Sequence, residues 1–477
     1  MRRTLTPLGI LVLTIAVATT SLMLILVLGS IRYGGPKGLV LRVRAELAAH
    51  RPHPQFVPTP LPTQTGRSAM VTSAAETGLG AGIIRITPER LPLSAPPPPA
   101  PRAPATSEPE IAKPTSLPPT SIPAEPPAPS PTPAHHDVRP SVQLSGFTHA
   151  WQKWNNCGPA TLAMSFSYFG SSFSQDDLAS ALKGNQDDKN VSPEEMVALA
   201  RSQGFNAMTR VNGDFDLLRM LLSNGIPAMI ETWHEDEPGD GMGHYRLVTG
   251  YDEASRHLTV FDSYVSEGVR SDRPYDGIRM SYGDVWELWG VFNRAYVLIY
   301  TDDMEPVVRS ILGDELDVAV MWQRALVQAQ AELKERPEDP FAWFNLGTDL
   351  AALGRFEEAV QAYDRARVIG LPWRMLWYQF GPFRAYYETG QYEALISLTD
   401  ATIRTAGNIE ETYYWKGLGL AATGNVNAAR QAWKRAIELN ASYSPASDAL
   451  AKLEQPQPES MLNENAGDVE DGVDFGG

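Results

Sequence analysis

The hydrophobic pattern divides the chain before any single residue needs interpreting. From Leu8 to Ile31 it is almost unbroken apolar, interrupted only by Thr, Ser and Gly. A bilayer core takes roughly 20 apolar residues, so the run predicts one transmembrane helix. No small-residue exit site follows a shorter apolar core, so an uncleaved anchor is expected. From Arg51 to Pro140 apolar periodicity is lost in a Pro-, Ala-, Ser- and Thr-rich stretch. Such a stretch cannot bury a core and predicts an extended spacer. Between Val142 and Asp303 the pattern becomes globular. Its first half has helical spacing: Leu162, Ala163, Phe166 and Phe169 behind Pro159, then Gln175 to Leu182. Ser192-Pro193-Glu194-Glu195 opens a capped helix reaching Arg201, and Phe215 to Leu222 is stopped by Asn224-Gly225. Its second half predicts strands over Pro227–Thr232, His244–Tyr251, His257–Phe261 and Arg294–Tyr300, two of them joined through residues 252–255 as a hairpin. Helices first and an antiparallel sheet second is an α+β layout.

Beyond Asp303 the period changes again, to helical pairs. Gly354, Gly390 and Gly424 lie 36 and then 34 residues apart. Gly347, Ala359, Tyr363 and Ala366 surround the first, and Gly417, Ala429, Trp433 and Ala436 stand at the same offsets around the third. The middle copy has Leu395 and Thr399 at the small and aromatic positions. Met321 to Glu335 reads as half of an earlier copy, and Ser444 to Leu453 as a cap. This resembles the tetratricopeptide repeat, whose unit is 34 residues. The expected division is an anchor at 1–35, a disordered Pro-rich linker at 36–140, a globular domain at 141–303, a repeat domain at 304–455 and an acidic tail at 456–477.

Charge and composition narrow the function classes. The net charge of −16 argues against nucleic acid as a partner. One cysteine in 477 residues excludes an internal disulfide and a Cys-based zinc site. The acids Asp187, Asp188, Asp236, Glu237 and Asp240 lack metal-ligand spacing and are expected to be solvated. No metal or cofactor is expected. Arg2 and Arg3 before the apolar run are nearly balanced by Arg32, Lys37, Arg42 and Arg44 after it. The long spacer tips the expectation towards a single-pass protein with its globular domains outside the cell.

The single cysteine, Cys157, lies just before the Pro159 helix, where unsatisfied N–H groups favour a thiolate. A buried structural cysteine is the competing reading. A thiolate nucleophile needs a base, and the base needs an orienting group. Of eight His, His50, His53, His135 and His136 fall in or beside the spacer. His149 precedes the helix, and His234 and His257 flank loops. His244 opens a strand, and Asp262 ends its hairpin partner; folding about Ala254 and Ser255 puts residue 262 near 247 and both side chains at one end. Gln152 is placed to donate to an oxyanion. Trp154, Trp233, Trp286 and Trp289 could line a cleft, though aromatic core is the commoner use.

Gln152-x4-Cys157-Gly158-Pro159-Ala160-Thr161, Gly243-His244-Tyr245-x3-Thr249-Gly250-Tyr251-Asp252 and Val260-Phe261-Asp262-Ser263 together resemble the three motifs of the bacteriocin-leader peptidases, family thirty-nine of the cysteine peptidases. The resemblance implies a papain-like fold, with Cys157 as nucleophile, His244 as base, Asp262 as orienting residue and Gln152 in the oxyanion hole. Ser263 departs from the proline common after that aspartate. The chain has no P-loop and no transporter domain, so cleavage after a double glycine does not carry over. The expected protein is a membrane-anchored thiol hydrolase acting on a peptide or protein, with a repeat domain that recruits a partner. Its rival is a scaffold that binds peptide without cleaving it.

Overall fold

Two capping boxes start the small helices behind Cys157. Ser174 and Ser192 each accept a backbone N–H three residues on, while the Asp177 and Glu195 carboxylates accept the N–H of the cap residue in return. In the computed structural model these helices, α2 (Gln175–Leu182) and α3 (Pro193–Ser202), follow α1 (Cys157–Tyr168). The structure describes residues 19–21, 23–24, 27–28, 56–60, 135–235, 239–265 and 274–455.

The strands are β1 (Ser141–Gln143), β2 (Asn206–Arg210), β3 (Ala228–Glu235), β4 (Gly241–Asp252), β5 (His257–Asp262), β6 (Ile278–Ser281) and β7 (Tyr296–Tyr300). They form one antiparallel sheet in the order β2-β7-β3-β4-β5-β6, with β1 beside the far end of β4. The predicted hairpin is present, with Asp252 opposite His257. On one face α1 and α3 bury Leu162, Phe166 and Met196 against Tyr245, Leu247 and Phe261. On the other, α4 (Phe215–Ser223) and α5 (Tyr282–Gly290) bury Leu218 and Trp289 against Val248, Val260 and Tyr296. Strands β1, β2 and β6 and helix α5 were not expected: the strands are three to five residues long, too short to display a period.

After α6 (Glu305–Leu312) and α7 (Val318–Glu335), helices pair as α8 (Pro340–Ala352) with α9 (Phe356–Ile369), α10 (Gly381–Glu388) with α11 (Tyr392–Thr405), and α12 (Glu410–Ala422) with α13 (Val426–Leu439), closed by α14 (Ser444–Glu454). Gly354 and Gly424 turn each pair with φ of 75° and 82°, a conformation other residues adopt at a cost. Gly347 lies under the Tyr363 ring and Gly417 under the Trp433 indole. At the same offsets the middle pair has the buried Phe383 and Thr399, so large and small have changed places.

The two parts share a core. Trp233, Val291 and Phe292 pack in one cluster with Phe344, Leu350 and Tyr363. Asn293 donates to Asp349 at 2.6 Å and Arg294 to Glu332 at 2.5 Å across the same boundary.

Two pieces of the expected disordered linker are instead ordered. Val57 is buried in the helical core, its N–H donating to Leu371 at 2.8 Å while Arg367 donates to the Pro58 carbonyl. Arg139 is tied to Ser223 and Tyr251 on the sheet domain. Composition hides such short docked segments because flanking prolines dominate it. Most of Leu8–Ile31, on which the anchor was expected, lies outside the described residues. Met23, Leu24, Val27 and Leu28 of that stretch are helical and exposed. Among the described residues no helix is long and apolar enough to cross a membrane.

Candidate active site

Cys157 is the first residue of α1, after Asn156, whose side-chain oxygen accepts from Lys183 at 3.1 Å. Almost every α1 residue after it is buried, so the helix is fixed from all sides and its N-terminus cannot drift. The thiol sits in a cavity of about 20 Å³, lined also by Glu231, Gly243, Tyr245, Lys189 and Tyr378. That volume holds about one water. Burial pushes the thiol pKa up; the backbone N–H groups of Tyr245 and Gly158 draw it down, and the Glu231 carboxyl raises it further.

His244 and Asp262 meet, as their positions at one end of the hairpin predict. His244 Nε2 donates to Asp262 Oδ1 at 3.0 Å, and both side chains are buried. That bond fixes the tautomer and leaves Nδ1 as the basic nitrogen. Burial lowers the His244 pKa, with Asp262 opposing. Burial alone would raise the Asp262 carboxyl, but His244, Arg246 and the Val265 N–H outweigh it and hold it well below the usual carboxylate range.

The hairpin register differs by one residue from simple folding about the turn. A bulge between Val248 and Gly250 sets Asp262 opposite Arg246 rather than Leu247. A one-residue slip moves a side chain to the other face. The bulge therefore puts the Asp262 carboxylate on the face shared by His244 and Arg246, where Arg246 Nε reaches Oδ2 at 2.8 Å. Tyr245 and Glu231 lie on the alternate face, towards α1. No hydrogen bond joins Cys157 to His244 among the described residues. Cys157 shares its cavity with Gly243 and Tyr245, so the thiol and the His244–Asp262 pair stand near one end of β4, on opposite faces of the strand.

Gln152 is held from below by Ser263. The Gln152 N–H donates to the Ser263 carbonyl at 2.8 Å, and the Ser263 hydroxyl donates to Gln152 Oε1 at 2.9 Å. With the oxygen so engaged, donation falls to the amide NH₂, the kind of group an oxyanion needs. The serine that departs from the family pattern thus has a physical use.

Several neighbours were not legible in the sequence. Arg246 and Tyr245 in β4 and Glu231 in β3 sit in runs that read as ordinary core, and the bulge that sets Asp262 opposite Arg246 has no sequence signature. Tyr378 comes from the repeat region, more than 200 residues from Cys157. Asp188 is buried rather than solvated, and burial with the nearby Glu410 raises its carboxyl to about 8, because the helical domain covers its loop. Trp289 and Trp233 are core, and Trp154 donates to Asp187. Among the described residues no group of acids, His and Cys is arranged to hold a metal.

A helix-borne thiol against an antiparallel sheet that carries a His–Asp pair makes a mixed α/β, peptidase-like domain, here followed by a helical-repeat region. Residues 135–291 match the model of the Peptidase_C39 like family, and residues 340–369 match the tetratricopeptide repeat. No curated protein matches the chain. Among solved structures, a Bacillus anthracis protein described as a C39-like peptidase is 13% identical, covering 34% of this chain and 98% of its own, at a TM-score of 0.27. Xylellain, a cysteine protease from Xylella fastidiosa, is 14% identical, covering 35% and 87%, at 0.25. MamA from Desulfovibrio magneticus RS-1 is 17% identical, covering 30% and 85%, at 0.26.

Proposed function

We propose that the chain is a membrane-anchored cysteine peptidase of the papain-like type, its sheet domain displayed outside the cell and its repeats recruiting a peptide or protein partner. The observation that carries the reading is the His244–Asp262 pair, buried and hydrogen-bonded at the strand end where Cys157 begins its helix. Opening of the cavity lets the His244 ring turn on its Asp262 bond until Nδ1 faces Sγ. The thiol proton passes to Nδ1, and the thiolate attacks the substrate carbonyl. The Cys157 N–H and the Gln152 amide hold the oxyanion; His244 then returns the proton to the leaving amine, and water releases the acyl group.

A second reading has its own support. Cys157 and His244 are not bonded, and Tyr378 closes the cavity, as suits a scaffold that binds peptide without cutting it. One experiment separates the two: the pH dependence of iodoacetamide alkylation of Cys157, with His244→Ala alongside. The enzyme reading expects a thiol pKa below the ordinary value of about 8.5 once Tyr378→Ala opens the site, rising in the His244 variant. An ordinary pKa that ignores His244 in both backgrounds would favour the scaffold.

A further inference from the structure

The cavity beside Cys157 holds one group that the hydrolysis scheme does not use. Glu231 lies on β3 directly opposite Tyr245, 4% exposed, with its carboxyl lining the same cavity as the thiol. Its Oε2 is buried and has no hydrogen-bond partner. A buried carboxyl left unpaired is costly and needs a reason. Burial, with Glu194 adding to it, pushes Glu231 up to about 8, and Glu231 in turn pushes the Cys157 thiol up. The two acids oppose each other's ionisation. Only a positive charge brought between them lets both ionise. Of the cations nearby, Lys189 in the cavity lining is paired with Asp187 at 3.0 Å, and Lys183, which favours the Cys157 thiolate, is held by the Trp154, Asn155 and Gln186 carbonyls and the Asn156 side chain. The charge must therefore arrive with a ligand. The cavity's volume, about 20 Å³, suits an ammonium, which is close to water in size, and not a planar guanidinium.

We propose that Glu231 is the recognition group of a subsite for a primary ammonium of the substrate, seated beside the Cys157 thiol. The proposal rests on Cys157 being the reactive group of a substrate site. An ammonium paired with Glu231 removes the carboxyl's opposition to the thiolate, so a cationic substrate readies the nucleophile that attacks it, and a neutral one does not. The ammonium has two sources, a peptide amino terminus or a lysine side chain.

The test uses the full chain and three thiol reagents of different charge: aminoethyl, methyl and sulfonatoethyl methanethiosulfonate. Rates at Cys157 are normalised to those with free cysteine. The aminoethyl reagent is expected to exceed the methyl one by roughly ten-fold, a preference that Glu231→Gln removes. Should closure slow every reagent, the comparison is made in Tyr378→Ala. A normalised ratio near one, or one that Glu231→Gln leaves unchanged, would overturn the proposal. His244→Ala separates it from the hydrolase reading: overall reactivity falls if His244 is the base, while the charge preference persists. Protection of Cys157 by a peptide with a free amino terminus, against an acetylated lysine peptide, identifies the source. Protection no better than by an acetylated peptide without lysine would overturn the proposal.

Discussion

Asp262 has no slack. Its Oδ1 accepts from His244, Tyr264 and Val265 at 2.7–3.0 Å, and its Oδ2 faces Arg246 at 2.8 Å. A carboxylate this deep is tolerable because one oxygen takes three donors and the other faces the Arg246 charge. Arg246→Met removes one partner and leaves a buried charge uncompensated, which costs about 3–5 kcal/mol. Urea denaturation is expected to register that loss, and Asp262→Asn added to Arg246→Met should recover part of it. If the pair were dispensable, the single variant would unfold at the wild-type midpoint. Glu231 has the opposite sign. Its proton is held in the folded state up to about 8 and lost near 4.3 in the unfolded chain, so its contribution is full below about 4 and lost as pH rises towards 8. Glu231→Gln is therefore expected to flatten the decline of stability across that window, measured as urea midpoints at successive pH values.

Elements here are specified by pairs of small and large residues as much as by periodicity. Gly417 lies in the middle of α12, where helix propensity alone favours alanine by about 1 kcal/mol. A Cβ there would meet the Trp433 indole at 2.3 Å, and that indole is fixed by its N–H bond to the Tyr414 carbonyl. Overpacking of this kind costs typically about 1–3 kcal/mol, so the clash outweighs propensity. Gly417→Ala should lower the thermal midpoint, and a rise instead would mean that the indole moves freely. The same logic explains the middle repeat, where Phe383 and Thr399 exchange the roles of glycine and aromatic.

At the scale of the whole molecule the repeat region covers the site. The short 3₁₀ segment Trp373–Trp377 brings Tyr378 against Gly243, where an added Cβ would stand 3.3 Å from the ring. Around it, Asn190 donates to Glu411, Asn408 to Asp187 and Arg374 pairs with Asp240. The loop over the start of α1 is thus clasped by the helical domain. Tyr378→Ala is expected to raise the alkylation rate of Cys157 several-fold at temperatures well below the variant's own thermal midpoint. An unchanged rate would place the barrier elsewhere. The docked Val57 adds a segment remote in sequence to the same helical domain.

The sequence by itself determined most of the segments and singled out candidate residues. Periods of 3.6 and 2, capping residues and turn glycines are local, and so the helices of the first half, the hairpin and the helical pairs were readable. Cys157 stood out as a lone cysteine at a helix start, and the meeting of His244 with Asp262 was readable because both lie at one end of a hairpin. Tertiary structure decided what depends on register and on distant chain. The bulge at Thr249 chose the face of Asp262 and so admitted Arg246. Burial made Glu231 and Asp188 unusual acids, which their spacing could not reveal. The closing of the cavity by Tyr378 came from a repeat whose own pattern carries no trace of the surface it covers. Local energies act within a few residues, whereas the desolvation that tunes this site is set by whatever the fold lays over it.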